Sequence, residues 1–591
     1  MDLGKIYHRT TGNYCYPLNE EELVIHIRTG YDVDKVYLRY GDPFDQDKKG
    51  NWRHTRVEMA KPKKLPYHLG WQVIIKPTYK RCKYYFELER EEEVIYFFED
   101  AFVTQEEFLK VEQGVQYFVF PWMNTSDIIT PPTWVKDTIW YQIFPERFCN
   151  GNPKRNPKGT KKWKSEPIKE KCFYGGDLEG ICSKIPYLHD LGITGIYLTP
   201  IFKSPSHHKY DTQDYLYIDE AFGDEEIWKE LVDKAHHYGI RIMMDMVFNH
   251  SGKTFGPWQD VLKNGINSIY YNWFIINEWP LNEQAYDTKD GKYASFAFAS
   301  NMPKLNTNNE EVVKYLLDVC SYWVGKFGID GLRFDVGDEL SHQFCKKLHH
   351  KLKIINPEIY LLGEMWHDAI NWLGGDEYDG VMNYPFMSTM NRFWANESLT
   401  KEDFEININE CFTRYPLQSY GAMYNLLDSH DTDRLMTRLR GNENQVYQQL
   451  AVLLAMPGSP SLYYGTEIGL LGNHDPDCRR CMPWDEINQG KYKDQIDKMK
   501  VLIGLRKQYI ALTSNDYSFK NEYNNERLIH LVKQSKEESI EIYLNCSEEE
   551  VRILNCKQIL FANNYVDEIL KPDGIVIIVD TRDNKSLLIN T

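Results

Sequence analysis

The sequence predicts an α/β chain built on a (β/α)8 (TIM) barrel, with a subdomain inserted after the third strand and a β-sandwich domain at each end. Three observations predict it. The N-terminal stretch carries short alternating apolar and aromatic runs, ELVIHIR, KVYLRY, WQVIIKP, YYFELER and VIYFFED, separated by polar turns. From Thr138 onward, apolar strand-like runs alternate with helical stretches, the pattern of a parallel sheet closed by crossover helices. After Arg506 the period-two rhythm returns in LIHLVKQ, SIEIYLN, VRILN and GIVIIVD.

In chain order, residues 1–125 form the first sandwich, and Thr130-Pro131-Pro132-Thr133 breaks its rhythm as a linker. Residues 126–505 form the barrel, whose strands are IWYQIFP, ITGIYLTP, IRIMMDMVFNH, GLRFDV, EIYLLGE, YDGVMNY, MYNLLD and SLYYGTE. Stretches such as EVVKYLLDVCSYWVGKFG supply the crossover helices. The Asn- and aromatic-rich segment at about 251–307 is too long for an ordinary βα loop and is expected to form a small subdomain. Residues 506–591 form the second sandwich.

Composition narrows the function. With 69 Lys+Arg against 86 Asp+Glu, the net charge of −17 makes nucleic acid and anionic membranes poor partners, so neutral substrates fit better. The basic stretch from Pro153 interleaves Lys with Pro and Gly and reads as a solvated loop. The start MDLGKIYHRT lacks an apolar signal core and no membrane-length apolar run occurs, so a cytoplasmic protein is expected. The 12 cysteines are scattered; Cys478-Arg-Arg-Cys481 has a metal or redox spacing but lacks the further ligands or helix either would need.

A barrel of this kind works at the C-terminal ends of its strands. There the sequence places Asp245, Asp335, Glu364 and Asp431, with His250, Arg333, Trp366 and His430 nearby. Any one carboxylate could cap the following helix, but four at converging strand ends would repel one another in a merely structural barrel. Close carboxylates with Arg, His and aromatics, and no phosphate-binding glycine loop, suit glycoside hydrolysis. One acid attacks or stabilises the anomeric carbon while a second, kept protonated, donates to the leaving oxygen. Arg333, two residues before Asp335 on a strand, shares its face and would hold it ionised. Trp366 and Tyr210 offer stacking faces for sugar rings.

The blocks DMVFNH (Asp245 to His250), MPKLN (Met302 to Asn306), GLRFDV (Gly331 to Val336), GEMW (Gly363 to Trp366) and SHD (Ser429 to Asp431) closely resemble the α-amylase superfamily of glycoside hydrolases. MPKLN, HKYDTQDY from His208 and the leading β-domain resemble its neopullulanase, cyclomaltodextrinase and maltogenic amylase subfamily. The resemblance implies Asp335 as nucleophile, Glu364 as general acid/base and Asp431 as a residue that binds sugar hydroxyls and helps distort the ring. It implies His250, Arg333 and His430 around the scissile sugar, Tyr210 as its platform with Asp211 nearby, and Asp475 with Arg479 as a sugar-binding pair, which leaves the CxxC incidental. A retaining mechanism is implied, with carboxyl groups about 5 to 5.5 Å apart. The substrates implied are cyclomaltodextrins, maltooligosaccharides and pullulan, with some transglycosylation and no organic cofactor. A homodimer is implied as well, with the N-terminal domain of one copy over the barrel mouth of the other.

Two departures stand out. Asp428 and Asp433 add negative charge beside the SHD block. The family's calcium site maps to Asn150, Asn152, Asn156, Gly175 and Asp177, where only Asp177 is charged and Lys154 and Arg155 share the loop. Calcium and a plain cluster of turn-forming Asn residues both remain open at this stage. His207-His208 reads as a polar loop element shaping the sugar site, and the sequons Asn124-Thr-Ser, Asn396-Glu-Ser and Asn545-Cys-Ser carry little meaning in a cytoplasmic protein. Two other classes compete: a catalytically silent glucan-binding protein on the same barrel, which intact acids disfavour, and a metallohydrolase using Asp245 and His250, which lacks a further His cluster.

Overall fold

The structure, a computed structural model, describes residues 1–581 apart from 112–113, 170, 283–284 and 555–556. Residues 582–591 of the expected C-terminal domain therefore lie outside the described residues. The chain divides into two compact units, one of Met1–Pro131, Asp368–Gly375 and Leu399–Tyr420, the other of Pro132–His367, Asp376–Ser398 and Gly421–Thr591.

The first unit contains two antiparallel sheets. One orders Cys15–Pro17, Leu23–Thr29, His68–Ile75 and Lys63–Leu65; the other orders Thr55–Glu58, Lys35–Gly41, Cys82–Arg90, Glu93–Phe97 and Phe102–Thr104, with Phe118–Phe120 also paired to Cys82–Arg90. Alternating residues of both sheets, among them Leu23, Ile25, Ile27, Val36, Leu38, Phe86 and Leu88, bury a common apolar core. Residues 368–375 and 399–420, which the sequence assigns to the barrel, belong to this unit. In it the helix Lys401–Thr413 packs on the edge strand Lys63–Leu65, and Asn409 donates its side-chain amide to Lys64 O at 3.0 Å.

In the second unit eight parallel strands are hydrogen-bonded in the order sixth, fifth, fourth, third, second, first, eighth, seventh. In chain order they are Trp140–Ile143, Gly195–Leu198, Arg241–Met246, Gly331–Phe334, Tyr360–Gly363, Gly380–Val381, Tyr424–Leu426 and Ser459–Tyr463. A parallel bridge between Met382 and Tyr424 joins the sixth strand to the seventh and closes the barrel. Seven of the eight runs read as strands from the sequence contain one of these strands, and the eighth, SLYYGTE, overlaps the strand Ser459–Tyr463, which begins two residues earlier. The interior is filled by Trp140, Tyr197, Met243, Tyr360, Leu362, Tyr424 and Leu426. The crossover helices start where their caps allow: Asp177 accepts from Gly180 N ahead of Leu178–Leu191, and Asn309 accepts from Glu311 N and Val312 N ahead of Glu310–Phe327.

The insertion after the third strand contains the helix Gly256–Asn264 and short bridges, among them Phe274 with Leu305 and Ser295 with Pro303. Trp258 packs against Phe274 and Tyr293 with ring centroids 4.7 and 5.1 Å away. MPKLN returns the insertion to the barrel: Lys304 bridges His250, and Leu305 N donates to Asn249 O at 3.0 Å. After the barrel, six antiparallel strands between Tyr517 and Thr581 form one sheet, to which Gln448 of helix Glu443–Ala455 donates at Asn545 O and Gly574 O, both 3.0 Å.

Candidate active site

Register places the charged residues. The third and fourth strands pair so that Asp245 lies directly opposite Arg333, and the fourth and fifth pair Phe334 with Gly363, bringing Asp335 and Glu364 to neighbouring strand ends. Arg333 is fully buried. Its Nη1 contacts both oxygens of Asp245 at 2.9 Å and donates to Asp335 Oδ1 at 3.0 Å, and its Nη2 lies 2.7 Å from Glu364 Oε2. One guanidinium thus faces three carboxylates. Burial pushes Asp335 well above the usual carboxylate range and raises Glu364 and Asp245 too, with Arg333 opposing in each case. One positive charge faces three buried negative ones, an arrangement that favours a proton shared within the cluster.

Local backbone serves the same end. Val336 has φ 47°, a left-handed conformation that is costly for a β-branched residue, and its N–H donates to Glu364 Oε2 at 3.0 Å. Trp366 donates Nε1–H to Glu364 Oε1 at 3.3 Å and stacks flat on Tyr384 with ring centroids 3.5 Å apart. Lys209, also at positive φ, precedes Tyr210, whose hydroxyl lies 3.0 Å from Asp245 Oδ2 and 2.6 Å from His430 Nε2. The Tyr210 and His430 rings are parallel within 3°. Asp431 lies 3.2 Å from His430 Nε2 and 3.3 Å from Arg479 Nη2, and Arg479 Nη1 pairs with Asp475 at 2.9 Å.

These groups surround a cavity of about 420 Å³. Its walls include the predicted residues Tyr210, His250, Asp335, Glu364, Trp366, His430, Asp431, Asp475 and Arg479. Asp245 and Arg333 lie buried against these walls and do not line the cavity. Asp211 is outside it: the carboxylate accepts from Ser204 Oγ at 2.6 Å and from Ser206 Oγ, and it lines an adjoining cavity that shares His208, Asp475 and Arg479. His207 and His208 both sit on that second cavity, and burial lowers them to about 2 and about 4, so both are neutral.

Sequence reasoning missed several wall and supporting residues. Phe296, from the insertion, stacks on His250 at 4.9 Å, and Met302 comes from the MPKLN block. Tyr197 donates to Asp245 Oδ2 at 2.6 Å, and Gln142 contacts His430. The available signal was a polar group within an apolar barrel strand, which burial makes costly unless it has a partner. His250 is lowered to about 3 by burial, with Lys304 acting in the same direction, so it is a neutral cavity residue. The thiols Cys478 and Cys481 are buried and pushed up to about 12, which leaves the CxxC inert. Asp428 accepts from Leu435 N at 2.9 Å, and with Asp433 it acts on the buried Arg438, so both extra acids have a cation to face.

The five residues that the resemblance maps to a calcium site are hydrogen-bonded among themselves and to nearby backbone. Both oxygens of Asp177 are taken by the backbone N–H groups of Gly151, Asn152 and Gly180. Asn152 Oδ1 accepts from Lys154 N, and Asn156 Oδ1 accepts from Asn150 Nδ2. Asn150 Oδ1 is buried with no hydrogen-bond partner. Arg155 spans the same loop, pairing with Glu179 at 3.1 Å and Asp224 at 2.8 Å. The metallohydrolase reading does not survive: Asp245 is committed to Arg333, Tyr197 and Tyr210, and the described residues contain no group of three or more His, Cys, Asp or Glu that could hold a metal.

Residues 142–536 match the family described as alpha amylase, catalytic domain, and residues 1–124 match the alpha amylase N-terminal Ig-like domain. The chain is 44% identical over 551 residues to a cyclomaltodextrinase of Geobacillus thermopakistaniensis (strain MAS1), spanning 93% of this chain and 92% of that one. It is 42% identical over 549 residues to a maltogenic alpha-amylase of Bacillus acidopullulyticus, spanning 92% of each. A solved cyclomaltodextrinase structure matches with a TM-score of 0.86 at 37% identity, covering 98% of both chains. Barrel, carboxylate cluster and relatives agree: the chain belongs to the α-amylase family of glycoside hydrolases.

Proposed function

We propose that this protein is a retaining α-glucan hydrolase that cleaves α-1,4 bonds in cyclomaltodextrins, maltooligosaccharides and pullulan, with some transglycosylation. The observation that carries the reading is the placement of Asp335 and Glu364 at adjacent strand ends, sharing Arg333 and facing one cavity. In the productive state Glu364 carries the cluster's proton and Asp335 is ionised against Arg333. Asp335 attacks the anomeric carbon as Glu364 protonates the leaving oxygen. Glu364, now a base, then takes a proton from the water that releases the glycosyl-enzyme. Two inversions preserve the α configuration. Asp431 binds hydroxyls of the same sugar, and Tyr210 supplies its stacking face.

Side-by-side product analysis on a cyclomaltodextrin, pullulan and starch, with the first-formed anomer read by proton NMR, tests this. Release of α-anomers from the cyclic substrate faster than from starch is expected; β-anomers first, or no release, would refute it. The related cyclomaltodextrinase supports the preference for small and cyclic substrates. A homodimer with the N-terminal domain of one copy over the other's cavity would narrow the site to such substrates, and sedimentation showing only monomer at micromolar concentration counts against it. No helix among the described residues is long and apolar enough to cross a membrane. A cytoplasmic location is supported by the free, buried thiols, such as Cys15, Cys320 and Cys345, which suit a reducing compartment.

On this reading the loop of Asn150 to Asn156 holds itself through Asp177 and Arg155 and needs no calcium. A strong chelator is expected to leave the melting temperature unchanged, where a site worth several kcal/mol would shift it by several degrees. A loss of several degrees that added calcium restores would overturn it.

A further inference from the structure

Gln142 sits on the first barrel strand, almost fully buried, at a position the mechanism above does not use. Its side-chain Nε2 lies 2.7 Å from His430 Nδ1. An amide nitrogen only donates, so His430 Nδ1 must accept, and the single proton of a neutral imidazole is left on Nε2. The far side of the ring requires the same arrangement independently. His430 Nε2 faces Asp431 Oδ2 at 3.2 Å, an acceptor-only carboxylate, and Tyr210 OH at 2.6 Å. Tyr210 can then accept from His430 and pass its own proton to Asp245 Oδ2 at 3.0 Å. The chain runs in one direction from Gln142 through His430 and Tyr210 to the carboxylate that Arg333 grips. The main chain of His430 is tied as well, since its carbonyl accepts from Arg479 Nε at 2.9 Å.

We propose that Gln142 is a positioning residue that fixes His430 as the neutral tautomer with its proton on Nε2, turned toward the cavity. The proposal rests on the reading of that cavity as a glycosidase site. The chemical purpose follows from the transition state, in which positive charge develops at the anomeric carbon. An imidazolium in the wall would repel that charge, and the opposite tautomer would offer Asp431, Tyr210 and the sugar hydroxyls a lone pair where a donor is needed. Gln142 disfavours both states, because each places an N–H against its own. The charged and titratable groups facing the ring are Tyr210, Asp431, His208, Arg333 and Arg479, and the two arginines also oppose an imidazolium.

Two variants and one spectrum test it. Gln142→Met matches the volume without the donor and is expected to melt close to wild type while kcat/KM falls about tenfold or more, chiefly in kcat. Gln142→Glu replaces the donor by an acceptor, so His430 takes a proton on Nδ1 and a new ionisation appears in the kcat/KM profile between about pH 5 and 8. A residue that only filled space would move neither the profile nor the kcat-to-KM split. In wild type, nitrogen NMR of ¹⁵N-histidine-labelled protein, with His430 assigned by its loss in His430→Gln, is expected to show Nε2 protonated and Nδ1 bare across neutral pH. A proton on Nδ1, or unchanged kinetics in Gln142→Met, overturns the proposal. The spectrum decides even if a variant fails to fold. Full activity of an Asp335 variant would instead sink the reading of the cavity, leaving the tautomer result intact.

Discussion

Replacing Asp335 with Asn abolishes turnover, with kcat on a cyclic or linear α-glucan falling by on the order of 10⁴-fold. The substitution keeps size and can keep a contact to Arg333 Nη1, 3.0 Å from the native Oδ1, but removes the nucleophile. It also removes one of three acids crowded on a single guanidinium, so the fold should not suffer and the melting temperature should hold or rise. Glu364→Gln loses activity on natural substrates to a similar degree for a different reason: the leaving oxygen has no proton donor. The two separate on an activated aryl glycoside, whose leaving group departs without protonation. There the glycosylation step of Glu364→Gln recovers, visible as a burst of released phenol, and Asp335→Asn stays silent. Retention of more than a few per cent of wild-type rate by Asp335→Asn, or rescue of both variants alike, would show that the roles are misassigned.

How far the sequence reaches can be judged from these same residues. Asp335, Glu364 and Asp431 are legible because barrel geometry sends attention to acids that end apolar runs, and the period of two puts Arg333 on the face of Asp335. The grip of Arg333 Nη1 on both oxygens of Asp245 is not legible, because it depends on the register between two strands whose paired residues are 88 positions apart. Gln142 is a single polar letter in WYQI, and its meaning lies with a histidine 288 positions away. Helix Lys401–Thr413 has the local pattern of any barrel crossover, and nothing within it states that its partner is the Lys63–Leu65 strand of the first unit. The resemblance puts Asp211 near the sugar site, and what its chain position does not tell is that two serine hydroxyls donate to its carboxylate and that it lines the adjoining cavity. Local pattern fixes which residues end a strand, whereas long-range closure fixes what those residues face.

Arg333→Met is the variant with the largest expected effect on stability. The guanidinium is fully buried and held charged, despite that burial, by Asp245 and Glu364. Taking it away leaves three buried carboxylates with no cation among them, a loss of about 3–5 kcal/mol when a buried pair is broken from one side. The loss depends on pH, and its sign follows from the carboxylates. Burial already raises Asp245, Asp335 and Glu364 in the folded state, and removing Arg333 raises them further. Below their unfolded values near 4 both states are protonated and the variant suffers little. As pH rises from there, the unfolded chain releases its protons freely while the folded variant must either hold them or bury bare charge, so stability falls steadily. The variant should therefore melt roughly 4–6 °C below wild type at pH 8 and much closer to it at pH 5. Arg333→Lys restores a charge without the planar fork that reaches all three acids, so it should recover part of the stability and little of the activity. Melting curves of the three proteins from pH 5 to 8 test the account, and a deficit in Arg333→Met that is constant across that range would mean the arginine stabilises the barrel by packing rather than by charge.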